Sequence, residues 1–476
     1  MKSYDVVLLH PPATIKQEES TVQYSIMPMG EFALASELHR NNFRLKFTNL
    51  GLEQMLSSSY DVEKYVRSIQ SKIYAIDLHW AVHSGGAINV ADLCKKHHPN
   101  SLVVLGGFTA TWFCNEILRK YASVDAIVLG EAESSFVQLV RKISDGKDWQ
   151  DIPGIAYRRH ELVKHNPMPK PNENLDNLDL TNLLALDNWK SYLRISQSGY
   201  LKDKRPRFWL NIARGCPYNC VHCGGGRKAY RLLTGRKNIA FRSPEKVAED
   251  IEKLSHLGVQ QISLSHDPEI GTEKYQTQLF DEIKKRNLDV CMYYESFRVP
   301  SRLFLEKMKH ISYETAVAIS PDSPSDEVRM RAGRIFTNSQ MMNAIEDCED
   351  LGIKTDIYYM VGLPEETADF LPMFKKVLAK MSDKIWTAVF PPFRYVIDPN
   401  CLMATQPEEY GVKLLYRTFD DYKSMSLSSD PLGRIGHEIR FLTREKIGEI
   451  TAEANECATK MPLPPMRRPV LYRFFC

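Results

Sequence analysis

The sequence predicts two α/β units in series, a doubly wound parallel sheet and then an open, partial barrel. Three observations predict it. Apolar, β-prone runs alternate with helix-period segments over residues 4–145, the same alternation resumes at Phe208, and a polar, proline-bearing stretch separates the two. Strands that alternate with helices form parallel sheets covered on both faces, so such strands are apolar almost throughout. At 476 residues the chain also exceeds what one ordinary core organises.

In the first stretch the strand candidates are Asp5–Leu9, Phe43–Phe47, Ile73–Ile76, Leu102–Leu105 and Asp125–Leu129. Helix-period segments fall near 30–41, 60–71, 86–97, 112–121 and 134–144. Five strands at this spacing fit a flavodoxin-like (Rossmann-like) domain over residues 1–145, with its ligand at the carboxyl ends of the strands. Residues 146–205 break the rhythm. There Ile152–Lys164 reads as a short hairpin and Asn172–Leu186 as a polar run, together a surface connector.

From 206 to 430 the strand candidates are Phe208–Ala213, Gln261–Ser265, Leu288–Tyr294, Thr315–Ser320, Lys354–Val361 and Ile385–Phe390. Ser243, Pro244 and Glu245 suit a helix start, with Val247, Ile251 and Leu254 on one face. Six βα units suggest a partial (β/α)6 barrel whose active residues gather at the strands' C-terminal ends. Residues 431–476 read as a helical extension and a proline- and arginine-rich tail.

The composition, 43% hydrophobic and 25% charged, is that of a soluble globular protein. Sixty-two basic against 59 acidic residues leave a net charge of +3, which argues against a dedicated nucleic-acid partner. No run of about 18 apolar residues suggests a transmembrane segment. The start, MKSYDVVLLHPP, lacks a signal peptide's cleavage region. A cytoplasmic location is the expectation.

Seven of the ten cysteines lie scattered (Cys94, Cys114, Cys291, Cys348, Cys401, Cys457, Cys476) and read as small buried hydrophobes. Cys216, Cys220 and Cys223 sit inside eight residues, just after the barrel's first strand. Structural zinc wants four ligands, and no second Cys or His pair at zinc spacing follows. A four-iron cluster also wants four ligands, so three thiolates leave one iron open to a small molecule.

This C-x3-C-x2-C segment resembles the radical SAM superfamily motif, with His222 at its aromatic position. The resemblance implies a 4Fe-4S cluster on Cys216, Cys220 and Cys223. It also implies S-adenosylmethionine (SAM) chelated at the open iron and cleaved reductively to a 5′-deoxyadenosyl radical. By position in the barrel it carries SAM-binding roles to Ser265 and Asp267 after the second strand, and to Glu295 and Arg298 after the third. Gly362, in a G-L-P-x-E-T turn, takes the adenine side. An electron donor such as flavodoxin or ferredoxin is implied as partner.

A five-stranded domain upstream resembles the cobalamin-binding class of that superfamily. Gly106 and Gly107 end the fourth strand, and Gly130 and Glu131 end the fifth in a G-E-x-E turn; the resemblance gives all four to cobalamin. Asp77 and His79 imitate the D-x-H-x-x-G motif of proteins that ligate cobalt from below. However, Val82 replaces its glycine, and the segment follows the third strand rather than the first. The basic run Arg227–Arg242 reads as a solvated face or as a clamp for an anionic group. Taken together, the expectation is a cobalamin-dependent methyltransferase acting on an unactivated carbon or phosphorus of a small-molecule or lipid substrate. The alternatives are a ring-forming or carbon–carbon bond-forming radical SAM enzyme with a degenerate cobalamin domain, and a non-enzymatic corrinoid or metal carrier.

Overall fold

The computed structural model describes residues 3–16, 21–195 and 205–461. The chain divides into two compact units. The first comprises Met1–Asp203 with Tyr230–Lys237 and Tyr416–Pro431, and the second comprises the remaining residues.

The first unit is built on a seven-stranded sheet. Its strands are β1 (Ser3–His10), β2 (Leu45–Asn49), β3 (Gln70–Asp77), β4 (Leu102–Gly106), β5 (Ala126–Val128), β6 (Ile155–Arg159) and β7 (Leu162–His165), in the order β2-β1-β3-β4-β5-β6-β7. The first five run parallel. Val6–Leu9, Val103–Leu105 and Ala126–Val128 are buried, as a sheet covered on both faces requires. Because β1 lies between β2 and β3, the strand order reverses there, and the crevice at their carboxyl ends is the expected ligand position.

The hairpin β6–β7 is no detached surface connector. It extends the sheet in antiparallel fashion from β5, pairing Ala126 with Tyr157 and Val128 with Ile155. Ile155, Ala156 and Tyr157 are buried there, so this apolar run completes an edge that three-residue β5 alone would leave open. The helix-period segment near 60–71 is shorter than expected, Val62–Ser68, and a separate helix, Leu50–Leu56, precedes it. Asn49 and Asp61 start the two by accepting from the backbone N–H groups of Leu52 and Lys64.

The second unit carries a sheet of β8 (Arg207–Leu210), β9 (Gln261–Leu264), β10 (Cys291–Ser296), β11 (Glu314–Asp322), β12 (Lys354–Val361) and β13 (Thr387–Val389). All six are parallel and adjacent in chain order. This is the six-unit open barrel. Phe393–Arg394 adds a short pairing with β12. The helix Pro244–His256 starts where its residues dictate, with the Ser243 hydroxyl accepting from Lys246 N–H and Pro244 in the first turn. A helix, Arg444–Thr459, falls in the C-terminal extension, while the tail Arg467–Cys476 lies outside the described residues.

One ion pair ties that first helix to the barrel. Arg242 and Asp250 are each about 1% exposed, and the Arg242 guanidinium donates to Asp250 Oδ2 at 2.5 Å. Lys246 Nζ donates to the other Asp250 oxygen at 2.8 Å. Removing one partner of a buried pair strands the other's charge. Asp250→Ala is therefore expected to cost about 3 kcal/mol or more of stability, read from denaturant unfolding; an unchanged midpoint would contradict it.

Candidate functional site

The three thiols sit on a loop whose backbone is held from two sides. Within the loop, Cys223 N–H donates to Cys220 O and Arg227 N–H to Tyr218 O. On one side Val221 N–H donates to Ala332 O, and the segment continues as Gly333-Arg334. On the other, Gly224 N–H donates to Asp398 Oδ2 at 2.9 Å, Asn400 Nδ2 donates to Gly224 O at 2.7 Å, and Met403 N–H donates to Val221 O. Gly333 is required here. Its φ is +96°, and a Cβ would stand 2.9 Å from Asn219 O and from Cys220 Cα.

Three free cysteine thiols on one loop suit a cluster better than structural zinc. Structural zinc takes four protein ligands, whereas a cube of irons takes one thiolate on each of three corners and keeps the fourth open. Burial raises the pKa of all three thiols, and pushes Cys223, with Asp398 adding to the effect, up to about 12. Deprotonated thiols here need positive charge nearby. Burial opposes the charge of Arg334, but Asp322 and the Cys220 and Cys223 thiols outweigh it and raise its pKa. Arg334 Nε donates to Asp322 Oδ2 at 2.7 Å, and its Nη1 donates to Phe297 O at 3.1 Å.

Three strand ends converge on the loop. After β9, the ring nitrogen Nε2 of His266 lies 3.2 Å from Gly215 O. After β10, Arg298 lies over the Tyr218 ring at 4.7 Å. At the end of β11, Asp322 Oδ2 stands 3.6 Å from His222 Nε2, while the Tyr395 hydroxyl donates to His222 O. His222, Arg298 and the three cysteines thus come together. Glu295, at the end of β10, is half-buried, and its carboxyl group accepts no hydrogen bond from a described residue. Burial pushes it up to about 7 against the pull of Arg334, which leaves a carboxyl group ready for a polar ligand.

Three other sequence-selected residues are occupied by the protein itself. Asp267 accepts from Phe297 N–H and Glu269 N–H, both at 2.8 Å, and so ties the β9 and β10 ends together. The Ser265 hydroxyl donates to Asn211 Oδ1. Gly362, at φ +104°, donates to Glu366 Oε2 and accepts from His437 Nε2, both at 2.8 Å. Glu366 also accepts from the Ser323 hydroxyl at 2.8 Å.

In the first unit, Gly107 (φ +103°) leaves no room for a ligand. A Cβ there would meet His79 Cα and N at 2.7 Å, so its missing side chain admits the Leu78–His79 backbone. Gly106 is open, since a Cβ would meet only Val128 O at 3.8 Å. Half-buried His79 and Phe108 lie ring to ring at 4.4 Å, with Trp80 edge-on to His79 at 4.9 Å. An open glycine beside three flat side chains fits the edge of a corrinoid. Gly130 (φ +67°) donates its N–H to Thr111 Oγ1. Glu131 is gripped in bidentate fashion by Arg236, at 2.7 and 2.9 Å. With Arg236 so held and Arg242 on Asp250, two members of the basic run are structural and unavailable as a clamp.

Gly333, Arg334, Asp398 and Asn400 escaped the sequence reading. They lie more than a hundred residues from the cysteines, and no local motif marks them.

Residues 210–377 match the family model described as Radical SAM superfamily. An uncharacterised methyltransferase of Pyrococcus horikoshii is 26% identical over 86% of this chain and 87% of its own length. An anaerobic magnesium-protoporphyrin IX monomethyl ester cyclase of Rubrivivax gelatinosus is 29% identical over 59% of this chain, which spans about half (49%) of that enzyme. Among solved structures, the radical S-adenosylmethionine methyltransferase TsrM of Kitasatospora setae, with cobalamin and a [4Fe-4S] cluster bound, shares the fold. Its TM-score is 0.66 at 14% identity, over 96% of this chain and 89% of that one.

Two outcomes follow from this geometry. Gly333→Ala is expected to lower iron retained after anaerobic reconstitution at least severalfold while far-ultraviolet circular dichroism stays unchanged; full iron loading would contradict the contact. Burial raises Glu366 from 4.5 to about 7, against the hydrogen bonds from Gly362 and Ser323. The fold then favours its protonated form, so its contribution is complete below 4.5 and is lost as pH climbs toward about 7. Thermal melts across that window should show stability falling with pH, and less steeply in Glu366→Gln.

Proposed function

We propose that this chain, which belongs to the radical SAM superfamily, is a cobalamin-dependent methyltransferase acting on an unactivated carbon or phosphorus. The observation that most supports it is the pairing of two features in one chain. A three-thiol loop lies inside the radical SAM domain, and a doubly wound sheet with an open glycine lies at the carboxyl end of β4. A relative named as a methyltransferase spans both.

Cys216, Cys220 and Cys223 would hold the 4Fe-4S cluster, with Arg334 offsetting the negative charge of their thiolates. Glu295 and Arg298 would take the polar groups of SAM, a reading supported by the raised pKa of the Glu295 carboxyl and the seat of Arg298 on the Tyr218 ring. Asp267 and Gly362 act as positioning residues, holding the strand-end turns through their backbone bonds. Gly106, His79 and Trp80 would face the corrinoid. When bound, these groups supply an electron for splitting SAM into methionine and a 5′-deoxyadenosyl radical, and a carrier for the methyl group. The protein's part is to orient the reactants and exclude water. A reduced flavodoxin- or ferredoxin-type donor fits as the electron source.

The second reading is ring formation without methyl transfer, favoured by the 29% identity to the cyclase. Methyl-labelled SAM separates the two. Reconstituted protein supplied with hydroxocobalamin and a low-potential reductant is expected to bind the corrinoid and move label into product or onto the corrinoid. Deoxyadenosine release with no corrinoid bound and no label transferred would replace the methyltransferase with the ring-forming reading.

A further inference from the structure

At the switch point of the first unit's sheet, three ionisable side chains from distant parts of the sequence meet. His10 is the last residue of β1 and Asp77 the last of β3. The two strands run side by side with Leu9 opposite Ile76, so these residues emerge together at the carboxyl ends. Glu31 comes from the first turn of the helix Met29–Arg40. Their exposures are 0%, 8% and 7% for His10, Asp77 and Glu31. One donor atom from each lies within 4.8 Å of the other two.

Hydrogen bonding leaves this group incomplete. His10 Nδ1 and Asp77 Oδ2 are 3.1 Å apart. The other imidazole nitrogen, Nε2, has no partner although it is fully buried, and neither does Glu31 Oε2. No lysine or arginine among the described residues pairs with either carboxylate. The other ionisable groups facing Asp77 are His79 and His83, and the His83 ring lies 4.6 Å from that of His10. This cluster of two buried carboxyl groups and an imidazole is left with unfilled hydrogen-bonding valence, which a bound cation would satisfy.

We propose that His10, Glu31 and Asp77 form a binding site for a single divalent cation, Zn²⁺ first among the candidates. One imidazole nitrogen and two carboxylate oxygens make a donor set that zinc accepts, with room for a fourth ligand. The site stands apart from the cysteine loop in sequence and in donor chemistry, and it does not depend on methyl transfer. The side chain hydrogen-bonded to the Asp77 carboxylate is that of His10, sixty-seven residues away, while its near neighbour His79 contributes a backbone hydrogen bond.

The test uses the full-length chain carrying Cys216→Ala, Cys220→Ala and Cys223→Ala, so that the thiol site cannot take up metal. Equilibrium dialysis against Zn²⁺, with metal analysis, is expected to find about one zinc per chain. Adding Glu31→Gln or His10→Gln should weaken zinc binding about tenfold or more. Glu31→Gln removes a buried charge and nearly preserves shape, so its metal-free fold should survive. Zn²⁺ should raise the melting temperature of the parent and leave that of the variant unmoved. Absence of bound zinc, or zinc bound equally well by parent and both variants, would overturn the site. In that case protons shared among the three groups balance the charge instead.

Discussion

Presenting three cysteine thiols together on one short loop is the constraint on which the second unit depends. A loop of eight residues has few hydrogen bonds of its own, and buried sulfur offers little to anchor it. Val221 and Gly224 are therefore held by partners from elsewhere, Ala332 on one flank and Asp398, Asn400 and Met403 on the other, while Gly333 packs against Asn219 and Cys220. Gly333 approaches so closely that no side chain fits. The same segment brings in Arg334, whose charge stands against the thiols and Asp322 together. Rigidity of the loop and electrostatic balance of the thiols thus come from adjacent residues.

Around that loop the strand ends are cross-braced by groups that a motif comparison assigns to ligand binding. Asp267 holds the β10 end through Phe297 N–H, and Glu366 bridges Ser323 to Gly362. Burial keeps both carboxyl groups near neutrality at about 7. Such groups set where a ligand lies without touching it. Glu295 is different, because its carboxyl group is similarly shifted but left unsatisfied by the protein.

The sequence discloses what is contiguous and hides what is assembled. Parallel strands announce themselves because burial on both faces makes them apolar runs, and eleven of the thirteen main-sheet strands fall on such runs. The hairpin β6–β7 carries charge on its outer strand and a polar run behind it, so its membership of the sheet was not visible locally. Cys216, Cys220 and Cys223 are legible because three ligands lie in eight residues. Arg334 and Asp398 are not, because they reach the loop through the closure of the barrel. Asp77 shows the limit of spacing in the other direction. The motif it imitates with His79 is broken at Val82, and its side-chain partner, the imidazole of His10 on the neighbouring strand, is not visible from spacing.

The central claim is that the three thiols carry an iron cluster with one corner free for a sulfonium nucleoside. Mössbauer spectroscopy of ⁵⁷Fe-reconstituted protein, before and after adding SAM, addresses it most directly. The account predicts a four-iron cubane spectrum in which SAM alters the parameters of one iron site and leaves the other three nearly unchanged. A spectrum indifferent to SAM, or thiols that take up a single zinc and no iron, would contradict it.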